Sequence, residues 1–142
     1  MQRYVSQPLA VPHSQWVRAD LEFEGVEHDG ATFLVHLFLN NPEADEHTPR
    51  EESEHYAGYM TVFAHGDCWG DAGHCEVGSQ VNPFDRRPPH PLVPFNATLE
   101  ITEALRALEG SDEVTVTVLA FNKADEEDGV LRFKQLSLLT YE

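Results

Sequence analysis

The sequence predicts an all-β fold: an antiparallel β-sandwich carrying one short helix and a long Gly/Pro-rich loop. Three observations carry that expectation. Several segments of strand length alternate or run apolar, clusters of Gly, Pro, Asn and Asp separate them, and a single stretch has the length and boundary residues of a helix. The chain has 142 residues and is 41% hydrophobic, which suits one core, so residues 1–142 are read as a single domain with its core over 15–142 and an N-terminal extension over 1–14.

The elements follow in order. Val17, Ala19, Leu21 and Phe23 alternate with Arg18, Asp20, Glu22 and Glu24, the period-two pattern of a strand with one wet face. Thr32 to Asn40 is apolar on both parities, as expected of a central strand covered on both sides, and Asn41-Pro42 ends it. Tyr56 to Ala64 mixes aromatic and β-branched residues and reads as a third strand. From His65 to Pro94 the pattern dissolves into Gly, Asp, Asn and Pro, a stretch long enough to point to function or disorder. Ala97 to Ile101 alternates again, and Thr102 is placed to cap a short helix through Leu108 that Gly110 terminates. Val114 to Phe121 and Val130 to Tyr141 complete about six strands, separated by an acidic turn over Ala124 to Gly129.

Nine Lys and Arg against 25 Asp and Glu give a formal charge of -16, which repels phosphate backbones and anionic lipid surfaces. Nucleic acid and membranes are therefore not expected as partners. No segment approaches the 18 or so apolar residues of a spanning helix; even Phe33 to Leu39 contains His36. Residues 1–10 lack the organisation of a secretory signal, so the expected location is the cytoplasm, or outside it after removal of a leader. Most of the acid residues are read as a solvated surface, with attraction to a basic partner or to cations as the functional alternative.

One constellation carries chemistry. His65-Gly66-Asp67-Cys68-Trp69-Gly70-Asp71-Ala72-Gly73-His74-Cys75 holds both cysteines and two of the eight histidines. Thiolate and neutral imidazole are ligands for zinc or copper, so His65, Cys68, His74 and Cys75 form a candidate metal set, with His90 as a helper. The spacing matches neither common zinc pattern, and adjacent His74 and Cys75 cannot easily both turn inward from an extended strand. A Cys68–Cys75 disulfide pinning a Gly-rich loop and a pair of free structural thiols are the competing readings. His13, His28, His36, His47 and His55 are taken as surface or satisfied core residues. No Gly-x-Ser-x-Gly elbow, phosphate-binding glycine loop, dinucleotide fingerprint or His-Glu-x-x-His helix is present, which argues against an enzyme of those classes.

Three stretches taken in order, FLVHLFLNNPEA, then HYAGYMTVFAHG, then NATLEITEALRAL followed by DEVTVTVLAF, are similar to another protein class. Their order resembles the C-terminal β-sandwich that follows the copper domain in tyrosinase-like and haemocyanin-like type 3 copper proteins. The matching points run from about Leu21 to Phe121 and include Asn40, Tyr56, Ala57, Gly58, Phe63 and Thr102. The resemblance implies a lid that packs over the entrance of a helical dicopper centre. The family's dicopper centre uses histidines on a four-helix bundle, and this sequence has no such helices, so oxidase chemistry is not carried over.

The expected function is thus a non-catalytic accessory module docking on a protein partner through the 65–94 loop, the resemblance implying a helical dicopper domain as that partner. Trp69, Phe84, Arg86, Arg87 and Phe95 supply the aromatic and guanidinium groups that interface hot spots favour, although Phe84 and Phe95 are equally readable as core anchors. The alternative is a copper- or zinc-binding protein using His65, Cys68, His74 and Cys75, and a small enzyme built around that set comes third. The core is expected to contain Phe33, Val35, Leu37, Tyr59, Val62, Leu99, Ile101, Val116 and Val118.

Overall fold

A computed structural model describes residues 1–66, 71–78, 80, 82–108, 110–122 and 130–142. Among the described residues nine strands and one α-helix follow in chain order: β1 (Gln2–Val5), β2 (Leu9–Ala10), β3 (Arg18–Val26), β4 (Phe33–Leu39), β5 (Tyr56–Val62), β6 (Phe95–Glu100), α1 (Thr102–Arg106), β7 (Glu113–Val114), β8 (Val116–Asn122) and β9 (Gln135–Tyr141). A four-stranded sheet in the order β1-β8-β4-β5 and a three-stranded sheet in the order β6-β3-β9 form the sandwich, and β2 and β7 make a separate two-stranded ribbon. Every pairing is antiparallel. The expected all-β sandwich is what the chain forms. No helix of the described residues is long and apolar enough to cross a membrane.

The alternation in β3 places Ala19, Leu21 and Phe23 inward, all fully buried, between partners on both sides. They meet Phe33, Val35, Leu37 and Leu39 of β4 and Val116, Val118 and Ala120 of β8 in one hydrophobic cluster, closed at one edge by Ile101 and Leu105. The other parity of β4 is buried too. Phe38 and Leu119 pack with Ala44 of the following loop, flanked by Tyr56 and Phe121. The acidic segment between β4 and β5 therefore folds over the outer face of the four-stranded sheet. Asn41 Nδ2 donates to the Glu54 carbonyl at 3.2 Å, and Thr117 Oγ1 donates to the Asn41 carbonyl at 2.8 Å. Asn40 adopts φ 49°, in the left-handed region that Asn tolerates, and its Oδ1 accepts from Thr115 N at 2.9 Å. The sharp exit that Asn-Pro predicts is thus bonded to the neighbouring chain end.

His36 is a buried polar ring on that covered face. Its ring Nδ1 lies 2.9 Å from Tyr56 Oη, while Nε2 is buried without a hydrogen-bond partner. Burial, and secondarily the Arg50 charge, hold the imidazole below its ordinary pKa, so the neutral ring is the stable form.

Three expectations change. Residues 1–14, read as an extension, contribute β1 and β2: Gln2 to Val5 pair with Ala120 to Thr117, and the Gln2 side chain accepts from Leu131 N at 2.9 Å. Their alternation is too weak in sequence to show the strand, because β1 is an edge with an exposed face. Tyr59 is 63% exposed and lies opposite His36 on the outer face. It could not share the core with Val62, three residues away, because side chains alternate with period two; Met60 packs against the core instead. Gly58 pairs with Leu37 at φ 132°, a backbone conformation that side-chain-bearing residues rarely adopt, which is why no side chain fills that inward position. Thr102 does not cap the helix with its side chain; the cap is Ile101, and Thr102 Oγ1 accepts from Ala19 N at 3.1 Å and donates to Glu100 at 2.9 Å. The hydroxyl ties the helix to β3 rather than to its own first turn. The expected 124–129 turn lies outside the described residues.

Leu37 is central to this packing, and Leu37→Ala should cost about 2–5 kcal/mol in denaturant unfolding. Tyr59→Ser, three residues from Val62 but on the opposite face, should stay within about 1 kcal/mol of the parent. Equal losses for the two would reverse the assignment of faces.

Candidate functional site: the 65–94 loop

The long loop leaves the sandwich at the end of β5 and returns at β6, crossing the ends of β3 and β4. Its departure is fixed by backbone bonding: His65 N donates to the His28 carbonyl at 2.8 Å, and Ala64 N donates to Thr32 Oγ1 at 3.0 Å. Gly66 is required there, since a Cβ would come within 2.8 Å of the Gly30 carbonyl oxygen. Asp29, Gly30, Ala31, Thr32, Ala64, His65 and Gly66 line a polar recess at this corner.

The returning arm lies against the outgoing one. His90 N donates to the His74 carbonyl at 2.9 Å, and Leu92 N donates to the Cys75 carbonyl at 3.0 Å. The prolines at 88, 89 and 91 keep this arm extended, so the intervening N–H groups of His90 and Leu92 can act as strand-like donors. The tip is organised around one carboxylate. Asp85 has a side chain only 3% exposed and receives Arg87 three times: the backbone N at 3.1 Å and Nε at 2.9 Å on Oδ1, and Nη2 at 2.9 Å on Oδ2. His74 Nδ1 stands 3.6 Å from Asp85 Oδ2. Asn82 extends the set, with Nδ2 donating to Asp71 at 3.3 Å and Oδ1 accepting from Phe84 N at 2.9 Å. A loop with few apolar contacts is thus held by charge-assisted hydrogen bonds.

Of the four sequence-predicted ligands, Cys68 lies outside the described residues, as do Asp67, Trp69 and Gly70. His74 packs on Asp85, and Cys75 is its chain neighbour. His65 joins a different group. Its ring lies 4.9 Å from that of His90 and 5.8 Å from that of His28, both edge to face. Since His90 is bonded through its backbone to His74, the returning arm links the two ends of the proposed ligand set. Among the described residues no group of three or more His, Cys, Asp or Glu is already arranged to hold a metal ion.

His28 is the residue that sequence reading passed over. It sits 37 positions before His65 and 62 before His90, so no local spacing signals the grouping. Its Nε2 is 3.0 Å from the Val93 carbonyl and its ring stacks on Phe95 at 5.3 Å, which anchors the end of the loop. Phe84, one of the two residues read as either core or surface, is 88% exposed; Phe95 is 38% exposed. Arg86 is exposed, whereas Arg87 is committed to Asp85.

Comparison with known proteins places the fold. No family model matches the sequence, and no curated protein matches it. Solved structures of latent aurone synthase, a polyphenol oxidase, do match in three dimensions. The recombinantly expressed protein has a TM-score of 0.60 at 16% identity, covering 99% of this chain and 24% of that one. The protein from natural source gives 0.59 at 16% identity over the same shares. The recombinant protein co-crystallised with hexatungstotellurate(VI) and soaked in H2O2 gives 0.54 at 16% identity, covering 98% and 24%. The chain therefore spans about a quarter of the proteins it matches, and the likeness is one of fold. It agrees with the resemblance of the sequence to the C-terminal β-sandwich of tyrosinase-like proteins.

The loop tip has a defined acid response. Hydrogen bonds from the Arg87 side chain and then its backbone N–H hold the Asp85 carboxyl down from 3.8 to about 2, with burial opposing them. A carboxyl depressed in the folded state stabilises above its unfolded pKa, and that contribution is lost as pH falls through the folded value. Amide NMR shifts of His74 and Arg87 should therefore move together between about pH 4 and about pH 2. In Asp85→Asn that transition should be absent, and the two amides should already be displaced at neutral pH.

Proposed function

We propose that this chain is a non-catalytic accessory module of the tyrosinase-like kind, docking through the 65–94 loop as a lid on a helical dicopper domain. One observation carries the reading: 99% of the chain matches only 24% of a polyphenol oxidase in fold, which leaves most of that chain unmatched. The residues of this chain support the same division of labour. A dicopper centre needs several imidazoles on a rigid scaffold, and α1 is five residues long with no histidine. Exposed Phe84 and Arg86 on a loop ordered by Asp85 offer a rigid aromatic and a guanidinium to a partner, the groups that carry interface energy.

Loading the purified chain with excess copper and removing unbound ions should leave no sustained oxygen uptake with mono- or diphenols. Two coppers per chain with turnover would make it an oxidase in its own right. A helical, histidine-rich dicopper domain encoded beside or in continuity with this chain should form a complex with it and lose phenol turnover on its addition. Phe84→Ala combined with Arg86→Ala should weaken that complex at least tenfold, a loss of about 1.4 kcal/mol or more. An unaltered affinity would remove the loop from the interface.

The same reading gives the loop a covalent staple. Cys68 and Cys75 are the chain's two cysteines and share one Gly-rich loop, so we propose a Cys68–Cys75 bridge. By chain entropy, closing so short a loop stabilises by about 2–2.5 kcal/mol. Alkylation of denatured, unreduced protein should find no free thiol; two alkylated thiols would sink the bridge.

A further inference from the structure

We propose that β9 is a docking edge for a second copy of this chain, joining two three-stranded sheets into one continuous antiparallel sheet about a two-fold axis through Leu138. The surface is separate from the 65–94 loop, which returns through β6 on the far side of β3. β9 ends the sheet order β6-β3-β9, and among the described residues it pairs with β3 alone, so its second edge is open to another strand.

The other edges of the two sheets are blunted. β1 is four residues long and carries Arg3, the pairing of β5 is broken between Leu37 and Phe38, and that of β6 is broken between Phe23 and Val26, with Glu100 at its end. Short length, charge and bulges are the devices that keep a sheet edge from pairing with another chain. β9 has none of them. Its seven residues, Gln135–Tyr141, stay in unbroken register with β3 and include no charged residue, proline or glycine. Leu138 packs against the core yet is only partly buried, and Tyr141 is 45% exposed, so the strand keeps apolar surface for a neighbour to cover.

Charge identifies that neighbour. Lys134 and Glu142 flank the neutral strand, both are exposed, and no ion pair among the described residues engages either. They are equidistant from Leu138, so an antiparallel copy centred there sets Lys134 against Glu142 of the second copy, and two-fold symmetry repeats the pair at the other end. Leu138 then meets its own counterpart and Leu136 meets Thr140 of the second copy, on the face that turns towards Phe23 and Ala19. The formal charge of -16 repels the two copies at long range, a repulsion that salt screens beyond about 8 Å at physiological ionic strength.

Sedimentation of the full chain at physiological ionic strength should show a reversible species of twice the chain mass at tens of micromolar. Ser137→Lys, a charge added to the outward face of the edge, should weaken association about tenfold or more. Lys134→Glu and Glu142→Lys should each weaken it about tenfold, by setting like charges opposite each other at both ends. Glu142→Lys lowers the net negative charge, so weakening there separates local pairing from general repulsion. All three variants should keep the far-ultraviolet circular dichroism of the parent. Equal mixing of Lys134→Glu with Glu142→Lys should restore association, because both ends of the mixed pair again join opposite charges. A chain that stays monomeric at these concentrations would leave the edge to a strand of some other protein and overturn the pairing. So would a dimer indifferent to Ser137→Lys, or two folded charge variants that fail to associate when mixed.

Discussion

Burial of β4 on both faces is the constraint on which the rest of the structure depends. Its inward residues close the core with β3 and β8, while Phe38 on the other face needs a cover of its own. That cover is an acidic segment that would otherwise have every reason to stay in water. Ala44 is the apolar contact it offers, and its backbone is tied down through Asn40, Asn41 and Thr117. A strand made wet on one face would release the segment; a strand buried on both must hold it.

This arrangement distributes polarity across the molecule. The carboxylates of β3 lie on the outer parity, where Arg18 Nε meets Asp20 at 2.8 Å. Buried His36 is kept neutral within an aromatic surround of Tyr56, Tyr59 and Phe121, so the covered face contains one polar ring with one unpaired nitrogen. Burying a charge there would be far more costly than burying that neutral ring. Asp20, on central strand β3, is buried with Arg18 as its ion-pair partner, and the 65–94 loop is likewise ordered by polar means, through Asp85 and Arg87.

The loop is a different kind of object from the sheets. Its order comes from Asp85 and its bonds to Arg87, from two backbone bonds between opposed arms, and from prolines that fix the extended return. Such a construction places exposed groups, Phe84 and Arg86 among them, on a defined frame without a hydrophobic core beneath. It also draws His90 across to His65 and His28.

Periodicity in the sequence determined the sandwich, because strand side chains alternate regardless of what they meet: β3, β4, β5 and β8 stand close to where alternation and apolar runs put them. Composition also marked residues 65–94 as a Gly/Pro-rich loop, and the order of the quoted segments resembles the C-terminal sandwich of tyrosinase-like proteins. The tertiary structure decided what depends on partners. It turned Tyr59 outward, since only the register against His36 distinguishes the two faces of β5. It recruited residues 2–5 as an edge strand, whose exposed face leaves little pattern to read. It sent the Thr102 hydroxyl to β3, a partner 83 residues away. His28 joined His65 and His90 only through the crossing of strand ends, because backbone hydrogen bonds between distant segments, and no spacing along the chain, bring those rings together.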